Sequence, residues 1–155
     1  ISNALISKNN NIKFVLCGRD KQDYYYNNFI NNRNKSNFVF FNYLRGKKKI
    51  DFLKRSNIFI LPRYIENSPI SIIEAMSASI PIISTNISGI PEQIIHNKNG
   101  FLIKPGDTNM LKKYINILVK NKTLASKMGK EGRIIFKNKF SNDISYKKLI
   151  SLYKI

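Results

Sequence analysis

Acidic side chains are scarce in this chain: nine Asp and Glu stand against 27 Lys and Arg, for a formal net charge of +18. A field of that sign concentrates polyanions and binds them in a salt-dependent way, which opens a reading as a basic module for nucleic acid or an anionic membrane, without catalysis. No nucleic-acid motif accompanies the charge. Lys, Asn and Ile are over-used throughout, loops included, so a chain-wide compositional bias is the favoured account. Cysteine is nearly absent. The single Cys17 excludes an internal disulfide, suits a reducing compartment and, inside the apolar run Phe14-Val15-Leu16-Cys17, reads as a small buried hydrophobe. The one histidine, His96, has no Cys or His partner at metal-ligand spacing and reads as a solvated loop residue. Asp20 and Asp23 do not form an Asp-x-Asp pair, so no metal and no cofactor is expected. No apolar run approaches the ~20 residues that span a bilayer, and the N-terminus lacks the order of a signal peptide. Repeats, heptads and low-complexity tracts are missing too. The expected location is cytoplasmic, with peripheral contact at the inner face of a membrane left open.

What is present is enough apolar surface for a fold. The 155 residues are 43% hydrophobic, with 10 Phe and 8 Tyr beside the many Ile, and a single domain of this length removes roughly 70% of its unfolded surface from water. Ile12 to Cys17, closed by Gly18, fits a strand buried on both faces of a parallel sheet. Asp20 can cap a helix through about Asn34; within it, Tyr24 to Tyr26 read as the edge of a core. Asn37 to Phe41 is the next buried strand. Apolar residues at helical spacing run from Ile50 and stop at Asn57, with Lys47 to Lys49 a solvated run at the helix start. Ile58 to Leu61 is a third strand, halted by Pro62.

Pro69 suits a helix start, because its missing N–H has no partner to lose there, and that helix runs to about Ser79. Pro81 to Ser84 is a strand, Pro91 to Ile95 a short helix, and Phe101 to Ile103 a fifth strand. Asp107 caps a helix through Val119, and two further helical patterns cover Lys122 to Lys137 and Asn142 to Tyr153. Strands separated by helices of 10 to 15 residues imply βαβ units: an α/β, Rossmann-like parallel sheet with helices on both faces.

In such sheets ligands lie beyond the carboxyl ends of the strands. The loop from Arg63 to Ser68 occupies such an end, and the helix behind Pro69 would aim backbone N–H groups and its positive dipole end into the crevice, a ready site for phosphate. Glu66 lies in that loop and Glu74 within the helix, eight positions apart, so two carboxylates can contact different parts of one ligand. A nucleoside diphosphate carrying a sugar fits: phosphate on amides, hydroxyls on carboxylates. A Glu near a helix start is also favoured by the dipole alone, so the spacing by itself does not separate a site from a surface.

The order of residues across the stretch carries more. Pro62, Glu66, Pro69, Ser71, Glu74, Ala75, Met76 and Pro81, then Gly89, Pro91 and Glu92, then Asn99, Gly100, Leu102, Pro105 and Asp107 resemble the retaining glycosyltransferases of family 4. Their two-domain GT-B fold carries Pro-Ser-x-x-Glu-Gly-x-Pro-x-Ser-x-x-Glu-Ala-Met, Gly-Gly-x-Pro-Glu and Asn-Gly-x-Leu-x-x-Pro-x-Asp in its C-terminal domain. The ending Met128-Gly-Lys-Glu-Gly-Arg, with Phe140-Ser and Leu152-Tyr153, is similar as well.

The resemblance implies a donor-binding domain of a hexosyltransferase that takes a sugar from UDP or GDP to a glycan or lipid-linked acceptor. Glu66 would hold donor-sugar hydroxyls, or act as nucleophile, and Glu74 the ribose hydroxyls. Asn67, Ser68, Pro69, Ile70 and Ser71 would meet the diphosphate or sugar, with Arg63 and Gly18 at the rim. Arg63, Asn67, Ser79 and Asn42 depart from the pattern's Ser, Gly, Gly and Gly. Asn67 tolerates a left-handed backbone, which makes that change mild, and Arg63 reads as solvated. The resemblance further implies a fragment lacking the family's Gly-Arg…Lys-Gly loop and its N-terminal acceptor domain, inactive alone.

Overall fold

Short apolar runs become parallel strands, and the helices between them start where the caps and Pro69 place them. The computed structural model describes residues 12–17, 36–41 and 44–153, and the chain divides into two compact units, residues 1–50 and 51–155. In the first unit β1 (Phe14–Cys17) pairs in parallel with β2 (Phe38–Phe41), Phe14 opposite Phe38 and Cys17 opposite Phe41. The rings of Phe14 and Phe38 stack with centroids 5.5 Å apart, and Asn37 Nδ2 donates to the Ile12 carbonyl at 2.9 Å.

The expected burial of both strands fails. Val15, Leu16 and Cys17 are exposed, and in β2 Phe38 alone is buried. A continuous apolar run reports that a strand can be covered on both faces, whereas cover itself is supplied by residues distant in sequence. Gly18, the helix expected from Asp20 to Asn34 with its three tyrosines, and Asn42 lie outside the described residues. α1 (Gly46–Lys54) crosses the boundary between the units and starts ahead of Ile50. Lys47 and Lys48 in its first turn are exposed, the solvated run expected at a helix start.

The second unit holds β3 (Phe59–Leu61), α2 (Ile70–Ser77), β4 (Ile82–Thr85), α3 (Ile90–Gln93), β5 (Gly100–Ile103), α4 (Thr108–Lys120), α5 (Lys122–Ile135), a π-helical segment (Phe136–Phe140) and α6 (Asn142–Tyr153). Its sheet runs β3-β4-β5, all parallel, with Phe59 beside Ile82 and Ile82 beside Gly100. The central strand β4 is buried at all four residues. Ile72, Ala75 and Met76 of α2, at the i, i+3, i+4 spacing of one helix face, join Ile82, Ile90, Ile94 and Ile135 in the core, with Phe136 and Phe140 packed against them. This is the expected α/β Rossmann-like arrangement. Asp107 caps α4 by accepting from Met110 N at 2.9 Å, and Asn121 caps α5 by accepting from Leu124 N at 2.8 Å. Among the described residues, no helix is long and apolar enough to cross a membrane.

The Met-Gly-x-x-Gly-Arg run anchors the far end of α2. Gly129 passes so close to the Ser79 carbonyl that a Cβ there would collide with it. Arg133 Nη1 donates to the Ser77 carbonyl, where the unpaired C=O groups of a helix end need a partner, and its guanidinium lies 5.3 Å from the centroid of the Phe136 ring. Behind α2 the chain turns through Ser79 in the left-handed region at φ 61°, the position where the family pattern has glycine.

Candidate functional site

Because β3, β4 and β5 are parallel, the loops that leave their carboxyl ends lie side by side. They are tied together by hydrogen bonds that cross the strands. Ser84 Oγ donates to the Leu61 carbonyl at 2.7 Å, Arg63 N donates to Thr85 Oγ1 at 3.2 Å, and Asn86 N donates to the Ile103 carbonyl at 2.8 Å. The loop from Pro62 to Pro69 is therefore pinned at its root to β4. Its far end is pinned again: Gly89 N donates to the Asn67 carbonyl at 2.9 Å. A Cβ on Gly89 would stand 2.6 Å from that carbonyl oxygen, so this close approach requires glycine. Gln93 Nε2 completes the clamp by donating to Ser68 Oγ at 2.9 Å.

The expected site residues from Arg63 to Glu74 all sit on this loop and on α2. Pro69 occupies the cap position, buried, with φ −70° and ψ 119°, and provides no side-chain cap. A Ser, Thr or Asp there would accept from the first turn; proline cannot, so the N–H groups of Ile70 and Ser71 open the helix without a side-chain acceptor. Glu66 is half-buried. Its Oε1 accepts from Asn67 N at 3.3 Å, and its Oε2 stands 3.8 Å from Arg63 Nε, with the Arg63 side chain 59% exposed. Arg63 is thus solvated, as expected, and also loosely paired; an exposed pair of this kind contributes ~0–1 kcal/mol. Glu74 lies half-buried in the second turn of α2. Tyr64, Ile65 and Ile70 are strongly exposed around the loop, and Tyr64 lies near Gly106 of the turn after β5.

One expectation changes. Asn67 is not among the residues with positive φ, so its tolerance of a left-handed backbone is not what makes it acceptable there. Gly18 lies outside the described residues. Ser88, at the first glycine of the Gly-Gly-x-Pro-Glu pattern, has φ 46°, and the other described non-glycine residues in the left-handed region are Ser79 and Asn97. His96 is exposed and held against β5 and α4: its Nδ1 accepts from Leu102 N at 3.0 Å, and its ring stands edge-on to Phe101 and Tyr114. Among the described residues no group of three or more His, Cys, Asp and Glu side chains converges.

Sequence reading passed over Thr85, Gly89's contact with Asn67, and Gln93. The available signal for Gln93 was a lone amide among Ile90, Ile94 and Ile95. For Thr85 and Gly89 the partners lie more than twenty residues away, and no local pattern carries them.

The family profile described as glycosyl transferases group 1 matches residues 2–134. Over 96% of its length the chain is 27% identical to the capsular polysaccharide biosynthesis glycosyltransferase CapM of Staphylococcus aureus, of which it covers 39%. Its fold matches sucrose-phosphate synthase from Thermosynechococcus elongatus with a TM-score of 0.85 at 20% identity, covering 97% of this chain and 40% of that one. It likewise matches Anabaena HepE, solved in complex with UDP-glucose, with a TM-score of 0.81 at 19% identity, covering 99% of this chain and 44% of that one. The chain therefore spans about two fifths of the length of these relatives.

Proposed function

Since the chain belongs to the glycosyl transferases group 1 family, we propose that it forms the donor-binding part of a retaining glycosyltransferase. The donor is a UDP- or GDP-linked hexose, and the acceptor a glycan or lipid-linked glycan. The observation that carries the reading is the start of α2: a proline cap with no side-chain acceptor, opening at the carboxyl edge of a parallel sheet, with Glu66 before it and Glu74 within it. The first-turn N–H groups and the helix dipole suit a diphosphate. Carboxylates suit hydroxyls: Glu66 takes those of the sugar and Glu74 those of the ribose.

In the reaction this site would support, the acceptor oxygen bonds to the anomeric carbon on the face from which the diphosphate oxygen departs, and the departing oxygen takes the acceptor's proton. The contribution of these residues is electrostatic. N–H groups aimed at the leaving diphosphate stabilise the charge that grows on it as the bond breaks, more strongly than they stabilise the bound donor. No step requires a metal. The acceptor is held by polypeptide outside this chain, and the +18 charge is compatible with peripheral contact with an anionic membrane on the cytoplasmic side.

Calorimetric titration with UDP, GDP and their glucose conjugates, against inorganic phosphate, tests the reading. At least one nucleotide should bind better than phosphate, and Glu74→Ala should weaken it by roughly tenfold, as expected for loss of a hydrogen bond to a charged group. Nucleotide binding no better than phosphate, or unchanged by Glu74→Ala, overturns it.

A further inference from the structure

Gln93 is 1% exposed, and its amide is only half used: Nε2 donates to Ser68 Oγ, while Oε1 is buried and has no hydrogen-bond partner. Ile90, three positions before it, and Ile94, next to it, are buried members of the core. An apolar side chain in this place would leave no polar atom unpaired, whereas an unpaired buried carbonyl bears the full cost of its lost hydration. Packing therefore does not account for glutamine here. What the amide does is hold one hydroxyl, that of Ser68, which lies exposed immediately ahead of the cap residue of α2.

The direction of that bond matters. A hydroxyl has one proton to donate and two lone pairs with which to accept. Because Gln93 Nε2 occupies a lone pair of Ser68, the Ser68 proton is left to an acceptor other than Gln93. At the start of a helix the favoured acceptor is an anionic oxygen, for which the dipole and the first-turn N–H groups already select. The Gly89 bond to the Asn67 carbonyl holds the adjacent peptide, so the hydroxyl is fixed at both its backbone and its oxygen.

We propose that Gln93 is a positioning residue that commits the Ser68 hydroxyl to donate to a phosphate oxygen of the nucleotide-sugar donor. The pair thereby adds a side-chain donor to the backbone amides of α2. This inference rests on the donor-binding reading above and deepens it. Ser68 makes the contact; Gln93 acts through Ser68 and touches no ligand.

The test compares UDP affinity, by titration calorimetry, with the thermal midpoint for four variants. Ser68→Ala should weaken UDP binding roughly tenfold and lower the midpoint by roughly 2–4 °C or more, because it leaves the buried Gln93 Nε2 without its partner. Ser68→Thr, which keeps the hydroxyl, should stay within about twofold of the parent chain. Gln93→Leu removes the unpaired carbonyl and the contact together. It should raise the midpoint by roughly 2–4 °C while weakening UDP by about the same factor as Ser68→Ala, a split that a purely structural role would not give. The double variant Ser68→Ala/Gln93→Leu should bind no worse than either single one, because the two residues act through one bond. Unchanged affinity in Ser68→Ala or in Gln93→Leu overturns the proposal, as do additive losses in the double variant. Glu74→Ala separates the two levels. If it weakens UDP while the Ser68 and Gln93 variants do not, this inference alone fails; if the parent chain binds neither UDP nor, on repeating the titrations, GDP better than inorganic phosphate, both fail.

Discussion

Replacing Gly89 by alanine isolates one contact on which the geometry of the site depends. Gly89 has φ −80° and ψ 0°, a conformation open to any residue, so alanine meets no backbone penalty there. What it does meet is the Asn67 carbonyl oxygen, 2.6 Å from the new Cβ, against a normal carbon–oxygen separation of about 3.2 Å or more. Some part of the clamp must therefore move by about half an ångström. Two backbone segments face each other here, so neither can escape by changing a rotamer. Overpacking of this kind costs about 1–3 kcal/mol, and the hydrogen bond from Gly89 N to the Asn67 carbonyl is stretched with it, at up to about 1 kcal/mol more.

Thermal melting should show a midpoint lowered by roughly 2–16 °C, taking 2–4 °C per kcal/mol for a chain of this size. Asn67 lies between Glu66 and Ser68, so the same displacement misplaces the approach to α2, and UDP affinity should fall by roughly tenfold or more. An alanine variant with the parent midpoint and the parent affinity would refute the view that this contact fixes the loop. A lowered midpoint with unchanged affinity would refute its link to the site.

Ser79→Gly should stabilise the chain by about 1 kcal/mol in chemical denaturation, because Ser79 holds φ 61°, a left-handed conformation that costs a side-chain-bearing residue roughly 1–2 kcal/mol and glycine almost nothing. Gly129→Ala should do the opposite, and more strongly. Its Cβ would collide with the Ser79 carbonyl, so α5 must lift from the end of α2, with an expected loss of about 3 kcal/mol or more measured the same way.

Much of this protein is legible residue by residue. Asp107 precedes a helix that it caps, Pro69 precedes α2, and the apolar spacing of Ile72, Ala75 and Met76 marks the face that α2 buries. These features depend on groups a few residues apart, whose geometry is set by the local backbone. The order of strands and helices followed from them, as did the position of Glu66 and Glu74 around a helix start.

Tertiary structure decided the rest, because the deciding partner lies far along the chain. Cys17 stands in an apolar run and is nevertheless exposed, since cover is a property of the neighbours a strand acquires. Ser79 takes the left-handed turn without glycine, and Asn67 does not, although both stand where the family pattern has glycine. Gln93 reads as one polar residue in a short helix until the fold sets its Nε2 against Ser68, 25 positions away. Sequence alone determined which elements form and which polar residues gather around the start of α2. The fold alone determined which of those residues are held in place, because a hydroxyl or a carbonyl is fixed in direction only by the groups that pack around it.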